Sequence, residues 1–145
     1  MKLKYVVAML FAAVVMGLSA QVYKDGVEFY KAQRFNQART LLQRNLEKPG
    51  TDKAASYYYL GMIEMQVDQP DLDAAQKDFQ DGIAANPKYA YNYVGQGLVD
   101  LKRGDAKAAE AQFKLAEKMA GKDVSSVQVA IARAYYKVDP SLYAK

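Results

Sequence analysis

The sequence predicts an all-α fold, a right-handed superhelix of stacked helix-turn-helix hairpins, and three observations carry that expectation. Small residues recur in pairs, Gly26 with Ala38, Gly61 with Ala75, and Gly97 with Ala109. Four positions after each alanine stands a bulky apolar residue, Leu42, Phe79 or Phe113. Twelve positions after each alanine stands a helix stop, Gly50, Pro87 or Gly121. A period of about 34–36 residues therefore reads as helix, short turn, helix, stop.

The first element precedes the repeats. Residues 1–20, MKLKYVVAMLFAAVVMGLSA, place Lys2 and Lys4 ahead of an apolar run from Tyr5 to Leu18 and end on Ser19-Ala20. That order matches a cleavable secretory signal peptide. The run is about fourteen residues, short of the roughly 20 that span a bilayer as a helix. Cleavage is expected after Ala20, with Ser19 as the other choice; an uncleaved membrane anchor is the competing reading.

Residues 21–145 form the repeat domain, with units near 21–50, 53–87 and 88–121 and a capping or partial fourth unit at 123–138. Helices are expected at 21–33, 36–48, 53–67, 72–85, 88–102, 105–119 and 123–138. Asp52, Asp71, Asp105 and Asp123 stand where N-caps or first-turn acids favour a helix start. Asp139-Pro140 ends the last helix, because proline disfavours the α conformation in the residue before it. The glycines and alanines let paired backbones approach, and the bulky residue fills the space towards the neighbouring hairpin. One hairpin alone leaves an apolar face in water, so several must stack.

This pattern resembles the tetratricopeptide repeat over residues 21 to about 137. Two departures are visible. Val22, Tyr57 and Tyr93 replace the usual tryptophan, and Asn45 stands where a small residue is usual, as in Gly82 and Ala116. Ala132 falls where the earlier units carry glycine. The resemblance implies that the first helix of each hairpin lines a concave face. It places there Tyr23, Val27 and Tyr30, then Tyr58, Met62 and Met65, then Tyr91, Val94, Leu98 and Leu101, and finally Arg133 and Tyr136. Tyr57, Tyr59, Tyr93 and Tyr135 are expected to pack between helices. The places where some relatives clamp a peptide's terminal carboxylate hold Tyr23, Val27, Tyr59, Tyr91 and Gly95, so that clamp is not expected.

Composition narrows the chemistry. Cysteine and histidine are absent from all 145 residues, which removes the usual zinc and copper ligands and the thiolate nucleophile. No metal or cofactor is expected. The formal charge is +4, and losing Lys2 and Lys4 with the leader leaves 18 basic against 16 acidic side chains. These are mixed along the chain, without the basic stripe of a nucleic-acid binder. Paired carboxylates exist, but Asp71 and Asp73 suit a helix start, and Asp78 and Asp81 are expected to face solvent. No enzyme is expected.

The expected function is a protein-interaction scaffold of the periplasm or cell envelope, binding a protein or peptide through its concave face. The alternative follows from helix 123–138, where Val127, Val129, Ile131, Tyr135, Tyr136 and Val138 leave few polar positions for a cap. It is the amino-terminal part of a longer solenoid, structural or self-associating through that helix.

Overall fold

The computed structural model describes residues 25–66 and 68–143, so the leader and Tyr23 lie outside the described residues. Among these residues every regular element is helical. We number them α1 (25–31), α2 (Phe35–Asn45), α3 (Lys53–Glu64), α4 (Leu72–Ala85), α5 (Tyr91–Lys102), α6 (Ala106–Ala120) and α7 (Val124–Val138). Pairs α1–α2, α3–α4 and α5–α6 are antiparallel neighbours joined by short turns. Contacts run α2 to α3, α4 to α5, and α5 to α7, with α3 also touching α5. This is the expected stack, with each hairpin packed on the next.

Three of the four aspartates act as expected. Carboxylate oxygens of Asp52, Asp71 and Asp105 accept the backbone N–H of Ala55, Ala74 and Ala108 at 3.0, 2.9 and 2.9 Å. Asp123 does not cap. The other three hold extended ψ angles of 90°, 89° and 78°, which aim the side chain back at the open N–H groups. Asp123 sits in a 3-10 turn, Gly121–Asp123, with ψ 19°, so its carboxylate turns away and instead accepts the hydroxyl of Tyr91 at 3.2 Å.

Helix ends shift for local reasons. Helix α5 starts at Tyr91 rather than at residue 88, because the Asn86 side chain accepts the N–H of Lys88 at 3.0 Å and forms a turn there. Helix α2 stops at Asn45, whose buried amide donates to the carbonyl of Leu41; such side-chain bonding competes with the helix ladder.

The turn of the first hairpin is poorly made. Gly104, between α5 and α6, has φ 83°, and the capping Asp105 follows it. The corresponding pair between α1 and α2 is Gln33, held at φ 58°, and Arg34, which makes no cap bond. A side chain at positive φ is strained. Changing Gln33→Gly together with Arg34→Asp is therefore expected to raise stability by about 1–2 kcal/mol, read as a higher urea midpoint with an unchanged slope.

The repeated glycines make room for the bulky residue of the paired helix. A Cβ on Gly26 would lie 2.9 Å from the Leu42 side chain, and one on Gly61 would lie 2.6 Å from the Phe79 ring. Gly97 meets Phe113 in the same way. Phe79 also lies against Gly95 of the next hairpin, closer still, so one ring is wedged between two hairpins. Beside it, Asn92 is fully buried, lies on Gly82 and donates to the carbonyl of Ala54 at 3.0 Å. Gly82 is small because Asn92 needs the room.

Candidate functional site

The first helices of the hairpins, α3 and α5, together with α7 and the end of α1, enclose a groove of about 700 Å³. Its floor is Met62, Val94, Gly95 and Leu98; one wall is Tyr30, Tyr58, Tyr59, Tyr89 and Tyr91. The opposite wall is α7, which contributes Ser126, Val129, Ala130, Arg133, Ala134 and Lys137. The volume lies within the roughly 300–1,000 Å³ typical of ligand sites.

The tyrosine wall is a continuous set of ring contacts. Tyr30 meets Tyr59 at 5.1 Å between centroids, and Tyr59 meets Tyr58 at 5.2 Å. Tyr58 meets Tyr91 at 5.7 Å, and Tyr91 meets Tyr89 at 5.6 Å. Tilted arrangements at these distances are favourable for aromatic quadrupoles. Behind this wall, Tyr58 also touches Phe79 at 6.2 Å, so the groove surface rests on the hairpin wedge. Burial, then repulsion from the neighbouring tyrosines, pushes the Tyr58 hydroxyl above its ordinary range, and Arg133 acts against that rise.

Seven of the residues expected on the concave face line this groove: Tyr30, Tyr58, Met62, Tyr91, Val94, Leu98 and Arg133. Four others do not. Val27 and Met65 are buried, each 8% exposed, and Leu101 packs against the core. Tyr136 is 53% exposed and is not among the residues that line the cavity. Tyr59, expected between helices, is on the groove wall, whereas Tyr135 does pack inward against Phe113 at 5.2 Å. Tyr89 and the rest of the α7 wall were not anticipated. Tyr89 precedes its helix, where no helical period applies. The α7 wall depends on the helix's rotation, which its buried residues Val127 and Ala134 set.

Outside the groove, Asp78 corrects another expectation. It is partly buried on α4, and its carboxyl is pushed up to about 6, first by burial, then by Glu64 and Asp81, with Lys77 and Arg39 acting against the rise. A carboxyl raised above its ordinary 3.8 favours the neutral form in the folded state. Its stabilising contribution is full below 3.8 and is lost as pH rises through about 6. Asp78→Asn should therefore raise stability at pH 7.5 by about 1 kcal/mol after solvent screening and leave it unchanged at pH 3.5. Thermal melts at both pH values measure the difference. Among the described residues, no set of three or more acidic side chains converges to hold a metal ion, and no helix is long and apolar enough to cross a membrane.

A stack of helical hairpins with an open groove along its first helices is the architecture of a helical repeat fold. Solved structures similar to this one include a tetratricopeptide-repeat domain and two chaperone structures. The Arabidopsis OM64 TPR domain is 19% identical, with a TM-score of 0.66 over 85% of this chain and 98% of that one. PcrH, in complex with the chaperone binding region of PopB, is 20% identical, with a TM-score of 0.66 over 81% of this chain and 92% of its own. The Yersinia enterocolitica type III secretion translocator chaperone SycD is 17% identical, with a TM-score of 0.65 over 83% and 94%. No protein-family model matches the sequence, and no curated protein matches it significantly. The chain has the tetratricopeptide-repeat fold, an all-α superhelix of stacked hairpins.

Proposed function

We propose that this chain is a non-enzymatic protein-interaction scaffold, exported by the leader at residues 1–20 to the periplasm or cell envelope, and that it holds a protein or peptide segment in the tyrosine-walled groove. The observation that carries the reading is the wall itself. Five tyrosines line an open cavity in ring-to-ring contact. Tyrosine brings large contact area at small entropic cost and is enriched where binding energy concentrates. PcrH, whose solved structure includes the chaperone binding region of PopB, lends support as a protein of the same fold that holds a polypeptide.

The test is affinity capture with the purified chain, compared with the Tyr58→Ala plus Tyr91→Ala variant. A discrete partner retained by the wild type and lost by the variant supports the reading. A partner retained equally by both rules out the groove. Export is tested separately, by fractionation and by sequencing the amino terminus: a start at Gln21 or Ala20 supports cleavage, and a start at Met1 contradicts it.

One observation favours a second reading. Helix α7 leaves Tyr136 and Val138, which do not line the groove, exposed at 53% and 37%, apolar positions where a cap would be polar. A longer solenoid or a second copy would cover them. Light scattering decides between a monomer, which favours the scaffold alone, and a dimer, which favours self-association.

A further inference from the structure

The groove carries charge of one sign. Among its lining residues are Arg133 and Lys137 and no carboxylate. Elsewhere the cations are often matched: Lys31 with Glu28, Arg39 with Glu64, Lys77 with Asp81, Arg103 with Asp73, Lys114 with Glu110. Neither Arg133 nor Lys137 takes part in any of these ion pairs, and partial desolvation followed by repulsion from Lys102 holds the Lys137 ammonium below its ordinary range. Two cations facing a cavity without a counter-charge favour an anionic occupant.

Spacing narrows the chemistry further. Arg133 and Lys137 are one helical turn apart on α7, about 6 Å along the axis. In an extended chain, residues two apart share a face and are separated by about 6.7 Å. The two spacings match.

Resting on the scaffold reading above, we infer that the groove takes an extended peptide segment carrying two carboxylates two residues apart, which pair with Arg133 and Lys137, and an aromatic or apolar side chain that seats against Tyr58, Tyr89 and Tyr91. Arginine binds a carboxylate through two parallel N–H donors, while lysine supplies a point charge. The ring wall supplies contact area and the α7 cations supply register.

The experiment selects from an unbiased library of heptapeptides, with both ends capped to remove terminal charge, on the purified full chain. Enrichment of acidic-x-acidic segments with an aromatic or apolar residue alongside is the expected result. Arg133→Gln plus Lys137→Gln should weaken a selected peptide roughly tenfold or more. In Arg133→Glu plus Lys137→Glu, changing both peptide acids to lysine should restore binding. Both side chains are exposed, so melting curves should stay close to wild type. Selection of peptides without acids, lost with Tyr58→Ala but indifferent to the α7 changes, overturns this inference and leaves the scaffold reading standing. Failure of any peptide to bind counts against both.

Discussion

Phe79→Ala is expected to lower stability by about 3–5 kcal/mol, the largest effect of any single truncation in the chain. The ring is fully buried, contacts Gly61 of its own hairpin and Gly95 of the next, and supports Tyr58 at the groove. Removing it costs the transfer of an aromatic side chain and opens a void between two units that each pack mainly on their neighbours. Loss of the shared ring should therefore also broaden the urea transition, since hairpins on either side become less coupled. The converse change makes the same point from the other side. Gly95→Val places a side chain inside the ring's volume, and overpacking of this kind costs about 1–3 kcal/mol. Leu115→Ala, at a position 39% exposed, should change stability by no more than about 0.5 kcal/mol. Urea denaturation of the three variants checks the order; a Phe79→Ala loss below about 1 kcal/mol contradicts the wedge.

Tyr58→Ala plus Tyr91→Ala is expected to weaken partner binding by roughly a hundredfold or more, about 3 kcal/mol for two anchoring tyrosines. Tyr91 is in contact with both Tyr58 and Tyr89, and its hydroxyl donates to Asp123 at the base of α7. It therefore fixes one wall of the groove to the other. Because Tyr58 also supports the core, the pair Tyr58→Phe plus Tyr91→Phe separates the two roles. Loss of both hydroxyls keeps the ring contacts and the fold, and should leave at least half of the binding energy in place. Isothermal titration with the captured partner, at a temperature where far-UV circular dichroism shows both variants folded, measures this. Equal affinity for wild type and the alanine pair would move the binding surface elsewhere.

The hairpin plan was legible because packing leaves a mark at fixed intervals. Gly61 and Phe79, or Gly97 and Phe113, must be small and large for the helices to close, so their recurrence reports the hairpins directly. The helix starts were legible at Asp52, Asp71 and Asp105 for a similar local reason. Asp123 was not, because a carboxylate caps only from an extended backbone and the 3-10 turn before α7 is set by chain connectivity. Half of the groove was legible, through the helical period of α3 and α5. The rest depends on tertiary geometry: Tyr89 enters from a turn, and Ser126, Val129 and Lys137 face the cavity only because Val127 and Ala134 lock the rotation of α7. Asp78 is half-buried because Glu64 and Arg39 of other helices pack beside it, a neighbourhood that spacing along α4 cannot report.

Site-specific photo-crosslinking tests the groove most directly, with the reactive residue placed at Val129 on the groove wall in one variant and at Lys114, an exposed α6 position outside the groove, in another. Both positions are exposed, so neither substitution disturbs the core. The account predicts a crosslink to a partner polypeptide from position 129, competed by excess acidic-x-acidic peptide, and none from position 114. Crosslinking from 114 alone, or equally from both, would contradict a groove-binding scaffold.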